Sequence, residues 1–196
     1  MARPQSPDYD KRRDAILGAA AHLYARRGFT GTSVSDLASA CNTSKSLIYH
    51  YFPSKDDTLH AVMEAHLDAL VDAADEAMRL GNAEERLRAL TLSFMQLYSG
   101  AQDSHKVLLN ELDNLPPAQR VEVVGKQRRI ISVVESLVRE IRPELNPITL
   151  PLTMLFFGMI NWTHTWFRPD GQTSAVEIAD LAVEIMLRGL DGVRTD

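Results

Sequence analysis

Apolar side chains recur at helical spacing along the whole chain, and no stretch alternates as a strand would. Ile16, Ala19, Ala20, Leu23 and Tyr24 share one stripe, which predicts a first helix over about 8–27, closed by Gly28. Ser33, Val34, Ser35 and Asp36 form a capping-box pattern that opens a short second helix, with Leu37, Ala38 and Cys41 turned inward. Asn42 suits a left-handed turn residue. A third helix starts at Thr43 and carries a short apolar stripe of Leu47, Ile48 and Phe52. A second box, from Ser54 to Asp57, opens a long fourth helix that reaches about Leu80 and stops at Gly81 and Asn82. Five more helices follow, over about 83–101, 104–112, 117–142, 148–167 and 174–189, separated by glycines and prolines. The expected fold is all-α with about nine helices. A three-helix unit over residues 1–55 would be joined by the long helix to a helical body over 56–196.

The third helix carries the most specific chemistry. Thr43, Ser44, Lys45 and Ser46 stand at its start, with Tyr49, His50 and Tyr51 one turn later. Two short helices joined by a tight turn and braced by a third make a helix-turn-helix, whose second helix enters the major groove by its N-terminal residues. Short hydroxyl side chains let the backbone approach, and Lys45 can reach guanine O6 or N7, or a phosphate. Tyr49 and His50 can donate to phosphates or stack on sugar or thymine methyl. Lys55, Thr32 and Ser33 sit at helix starts, where free N–H groups and the dipole favour a phosphate. An ordinary polar surface helix is the alternative reading of the same spacing.

Charge sharpens this picture. Of 21 basic and 26 acidic side chains, eight and four fall in residues 1–55, so a basic head precedes an acidic body. A basic head fits phosphates, although chance partition of surface charge gives the same pattern. The composition, 45% hydrophobic and 24% charged, is that of an ordinary globular chain. One cysteine, Cys41, cannot close an intramolecular disulfide. Neither a membrane span nor a signal-peptide core at the N-terminus is expected, so the cytoplasm is the expected location. No nucleophile elbow, metal-ligand cluster or phosphate loop is present, and His60, His66 and His105 stand singly; an enzyme is not expected, nor a cofactor or metal.

The span from Ile16 to Leu59 resembles the N-terminal domain of TetR/AcrR-family transcriptional regulators. The resemblance rests on Ile16, Leu17, Ala19 and Ala20, on Phe29 after Arg27 and Gly28, and on Thr32-Ser33-Val34 and Leu37-Ala38. It rests most on the block from Ser44 through Tyr49, Tyr51 and Phe52 to Pro53, Ser54 and Lys55. It implies a homodimer that binds palindromic double-stranded operator DNA, usually as a repressor, and that releases it when a small molecule enters the body. Asn42 stands where the family usually has glycine, Tyr51 where it has histidine, and Thr58 where leucine is usual, which removes an apolar contact.

The body is read from the run Phe156 to Gly171, which holds both tryptophans. A helix apolar all round is buried on several sides, so one face can close a ligand cavity and another meet a partner subunit; plain core packing explains it too. Asn161 and His164 are its polar exceptions and need partners. The run from Asn161 to Gly171 resembles TetR regulators that sense acyl-CoA thioesters of fatty-acid, aromatic-acid or sterol catabolism. Such a ligand needs an apolar slot and cations for its phosphates. Phe94, Tyr98, Leu109, Ile131, Phe157, Met159, Trp162 and Trp166 are candidates for the slot, with Asn110, Gln127, Asn161 and His164 as polar contacts. Arg128 and Arg129 are candidates for the phosphates, or belong to a solvated face. Trp162 and Trp166 line either the pocket or the dimer interface. The last two helices are the expected dimer surface, through Leu152, Leu155, Met159, Ala179, Ala182, Val183, Met186 and Leu187. A drug-responsive regulator of an efflux pump, using Glu111, Asp113 and Glu135 to receive cationic drugs, is the rival reading.

Overall fold

A computed structural model describes residues 7–192 of the chain. Residues 1–6, which include Arg3 and the N-terminus expected to lack a signal-peptide core, and residues 193–196 fall outside the described residues. Nine α-helices account for most of what is described: α1 Pro7–Arg27, α2 Val34–Ala40, α3 Lys45–Tyr51, α4 Lys55–Ala77, α5 Ala83–Gly100, α6 Gln102–Asn110, α7 Pro117–Ile141, α8 Thr149–Asn161 and α9 Ala175–Gly192. Among the described residues there is no strand, as the helical spacing predicts. Short 3-10 turns fill Leu112–Asn114, Pro143–Ile148 and Trp162–Thr165. The chain forms two compact units: one runs through His66 and takes in Asp103–Val123, and the other takes Leu67–Gln102 with the chain from Val124 on. Proximity therefore places the division at His66, inside α4, rather than at residue 55, and gives α6 to the first unit.

The first unit is built from local signals. Asp8 and Asp10 open α1 and Arg26 and Arg27 close it, each favourable with the helix dipole. Gly28, at φ +75, ends the helix as the left-handed residue that glycine adopts without a Cβ penalty, and its N–H returns to the Tyr24 carbonyl at 2.9 Å. Ile16, Ala20, Leu23 and Tyr24 are buried, as their stripe predicts. Ser33 and Asp36 make the expected capping box on α2. Asn42 takes φ 49, the left-handed turn its side chain tolerates. Ser54 and Asp57 cap α4, with the Asp57 N–H donating to Ser54 Oγ at 3.0 Å. Thr58 is fully buried and satisfies its hydroxyl on the Ser54 carbonyl at 3.1 Å, so a hydrogen bond takes the place of the lost apolar contact.

The second unit is a packed set of long helices in which α5 and α8 both lie against α9. Leu87, Leu90, Phe94 and Met95 are the buried face of α5; Ala179, Ala182, Val183, Met186 and Leu190 are that of α9. Arg88 on α5 reaches Glu184 on α9 at 2.5 Å. The dimer surface expected from the sequence needs correction here. Ala179, Ala182, Val183 and Met186 are spent inside the chain, because α9 turns that stripe toward α5. The outward apolar residues are Leu150, Met154, Leu155, Leu181 and Ile185. The expected single helix from Ile148 through Phe167 is also shorter. It ends at Asn161 and continues as the 3-10 turn Trp162–Thr165, which leaves Trp162 63% exposed and Trp166 51% exposed. Burial of the whole run does not hold. Among the described residues no helix is long and apolar enough to cross a membrane.

Candidate nucleic-acid interface and effector site

The interface is built on α3, a seven-residue helix that would be unstable alone. Ile48 is its one buried side chain, and the buried Phe52 closes it. Ser44 is its N-cap and accepts from the Leu47 N–H at 3.2 Å. Because the helix is anchored by one stripe, Lys45, Ser46, Tyr49 and His50 are all exposed. Thr43 is half-buried at the turn, and its N–H donates to the Ala38 carbonyl at 2.8 Å. Tyr51 is half-buried against Tyr9 of α1, with ring centroids 4.6 Å apart.

Three residues assigned to phosphate contact make hydrogen bonds within the chain. Thr32 is 2% exposed, and its hydroxyl donates to the Gly28 carbonyl at 2.9 Å, so it holds the α1–α2 turn. Lys55 donates to the carbonyls of Phe29 at 2.9 Å and Thr32 at 3.0 Å, with Nζ 3.9 Å from the Phe29 ring centroid. Its charge is consumed inside the unit by two carbonyls and a ring face. Ser33 is exposed but tied to Asp36, whose carboxyl is held below its ordinary range by the Ser33 hydroxyl first, then the Ser33 N–H, with Arg27 adding to it. The exposed face of α3 is thus Lys45, Ser46, Tyr49 and His50, with Thr43 and Ser44 at its start.

The sequence missed a buried pair in the same unit. His66 on α4 and His105 on α6 stand with Nε2 and Nδ1 3.2 Å apart. Burial pushes His66 down to about 4, which keeps it neutral at physiological pH. In the sequence 39 residues separate them, so no local signal joins them. His60 likewise meets Glu122 at 3.2 Å. Among the described residues no group of three or more side chains is placed to hold a metal ion.

The candidate effector residues fall in both units. Leu109, half-buried, and Asn110, exposed and bonded to the Lys106 carbonyl, belong to the first unit. The rest belong to the second. Phe94 and Tyr98 are buried on α5 with ring centroids 6.1 Å apart, and burial raises the Tyr98 hydroxyl well above its usual range. Phe157 is buried on α8, Ile131 and Gln127 are half-buried on α7, and Arg128 is exposed. His164 contacts the Asn161 carbonyl through Nδ1 at 2.7 Å and stands edge-on to Trp162. The basic side chains on either side of Arg128 are paired: Lys126 meets Asp68 at 2.5 Å, and Arg129 grips both oxygens of Asp75 at 2.8 and 2.6 Å. Arg129 is therefore engaged with α4 rather than offered to a phosphate. On α8, Thr153 Oγ1 and Asn161 Oδ1 are buried without a hydrogen-bond partner among the described residues, at the same helical spacing as Phe157.

Residues 16–62 match the model of bacterial regulatory proteins of the tetR family, and residues 80–190 match a tetracyclin repressor-like C-terminal domain. The chain belongs to the TetR family of DNA-binding transcriptional regulators. It is similar to a TetR-family transcriptional regulator from Bordetella parapertussis, with TM-score 0.89 and 36% identity over 96% of this chain and 100% of that one. It is 27% identical to the transcriptional repressor KstR2 of Mycolicibacterium smegmatis, over 95% of each chain. It is also similar to AibR in complex with isovaleryl coenzyme A and operator DNA, with TM-score 0.79 and 28% identity over 89% of this chain and 97% of that one.

Proposed function

We propose that the protein is a repressor that binds a palindromic operator as a homodimer and is released by an acyl-CoA thioester. The observation that carries the DNA half is the outward face of α3, where a lysine, a serine, a tyrosine and a histidine are exposed on a helix whose one buried residue is Ile48. A two-fold dimer presents two such helices to half-sites one DNA turn apart, or a multiple of it. The homodimer uses the outward apolar residues of α8 and α9, Leu155 and Leu181 among them. The acyl-CoA half is supported by the similarity to AibR, which holds isovaleryl coenzyme A. Thr153 and Asn161 add to it: two buried polar atoms flanking Phe157 suit a ligand that pairs an apolar chain with a carbonyl.

The efflux-regulator reading loses its acidic groups. Glu111 accepts from Asn114, Asp113 pairs with Arg120, and Glu135 pairs with Arg139. A difference of about 1–3 kcal/mol between the bound and free forms is enough for switching. Isothermal titration with a panel of CoA thioesters, followed by addition of each to the protein–operator complex, tests the proposal. One thioester should bind and release the DNA, and Thr153→Val should bind it about tenfold more weakly with no loss of thermal stability. No heat and no release from any thioester would overturn the acyl-CoA reading.

A further inference from the structure

The short recognition helix is held at its far end by a part of the chain that the family resemblance does not reach. Tyr9 and Arg13 lie one turn apart at the start of α1 and share a face. Tyr9 stacks on Tyr51 with ring centroids 4.6 Å apart at 33°, and stands edge-on to His50 at 6.4 Å and 79°. His50 and Tyr51 are themselves edge-on at 5.4 Å. Arg13 places its guanidinium carbon 5.6 Å from the Phe52 ring centroid. Two residues of α1 thus take hold of three consecutive residues, 50 to 52, where α3 ends.

The space beside this contact gives it weight. A groove of about 980 Å³ is lined by Ala15 and Ala19 of α1 and by Asn42, Thr43 and Leu47 of the turn and α3, with Tyr9 and Tyr51 also on its wall. Close packing does not fill the gap along α3, so the aromatic contact spans it at one end. With Ile48 as its one buried residue, α3 needs such anchors to keep a single orientation.

We infer that Tyr9, seconded by Arg13, is a positioning residue that fixes the exit turn of the recognition helix and with it the aim of Tyr49 and His50. This rests on the assignment of α3 as the DNA-reading helix. Tyr9 meets His50 and Tyr51 through its ring, so its ring matters and its hydroxyl does not. Tyr9 also carries no charge, which makes it a cleaner probe than Arg13, whose cation could itself meet a phosphate.

The test is a set of three full-length proteins: wild type, Tyr9→Ala and Tyr9→Phe. Wild type first selects duplexes from a random-sequence library, and the selected duplex is then titrated against all three by fluorescence anisotropy. Amide hydrogen exchange of residues 48–52 is measured on the free proteins. Tyr9→Ala should bind the selected duplex about fivefold more weakly, from the loss of one aromatic pair in each subunit. Its 48–52 amides should exchange faster, while Tyr9→Phe stays within about twofold of wild type in both. Equal affinity for Tyr9→Ala, or a Tyr9→Phe as weak as Tyr9→Ala, would overturn the clamp alone. A wild type that selects no duplex would overturn the DNA reading, and the clamp's role in recognition with it.

Discussion

The two units expose and bury opposite things. The first exposes Lys45, Ser46, Tyr49 and His50 on α3 and ties Thr32, Lys55 and the His66–His105 pair to partners within it. The second exposes Leu150, Met154, Leu155, Leu181 and Ile185 on α8 and α9, and buries Thr153 and Asn161 with polar atoms unmatched. A polar, cationic face on a helix held by one buried residue has little to gain from a protein partner and much from a polyanion. An apolar face on a long helix has the opposite preference. Buried polar groups that are matched lock a structure, and unmatched ones stay costly until something else completes them.

The sharpest way to break this contrast is to strip the polar face. Lys45→Ala with Tyr49→Ala removes two exposed contacts and should abolish specific retardation of the operator, a loss on the order of 100-fold or more. The melting temperature and oligomeric state should not change, because neither residue is buried. Retained binding would remove α3 as the reading helix. Next in size is the apolar face. Leu155→Asp with Leu181→Asp places unpaired carboxylates where the dimer would bury them, and should weaken association on the order of 100-fold. Sedimentation equilibrium should then show single chains, and operator binding should fall with the dimer. An unchanged dimer would mean that α8 and α9 meet something else.

Much of the first unit could be read from the sequence, because its signals are local. The boxes Ser33–Asp36 and Ser54–Asp57, the left-handed Asn42 and the stop at Gly28 each act within four residues. Lys55 could not be read that way. It stands at a helix start, as a phosphate-binding lysine would, but its acceptors are the carbonyls of Phe29 and Thr32, 26 and 23 residues earlier. The His66–His105 pair was hidden for the same reason. In the second unit the difficulty lay elsewhere. On α9 both the inward stripe of Ala182, Val183 and Met186 and the outward Leu181 and Ile185 are apolar, so periodicity does not say which side meets α5. The run after Phe156 is apolar enough to prolong α8, yet the helix tightens to a 3-10 turn at Trp162 and turns both tryptophans to the surface.

A third test probes the matched burial of the first unit. His66 is pushed down to about 4 by desolvation, against about 6.5 in an unfolded chain. The native state therefore binds fewer protons than the unfolded state between these values. The stability that the neutral form gives is intact above pH 6.5 and is lost as pH falls toward 4. The loss should amount to about 3 kcal/mol over that window. Denaturant unfolding at a series of pH values measures it. His66→Gln keeps a hydrogen-bonding group but cannot titrate, so its profile should be flatter over the same range. An identical slope in both proteins would place the proton uptake elsewhere.

The smallest effect bears on how the exposed helix is kept folded at all. Ser44 caps α3 through the Leu47 N–H, whereas α8 begins at Ile148 with no side-chain cap and relies on its buried face. A helix with one buried residue should feel the loss of its cap; a helix with a broad apolar face should not need one. Ser44→Ala should therefore cost about 1 kcal/mol of stability, and Ser44→Gly only a few tenths. If Ser44 also met a phosphate or a base, both substitutions would weaken operator binding equally, since both delete the hydroxyl. If its role is to cap, affinity should follow stability and the glycine variant should bind nearly as well as wild type. Comparing the two variants in denaturant melts and operator titrations therefore separates a residue that reads DNA from one that holds the reader in shape.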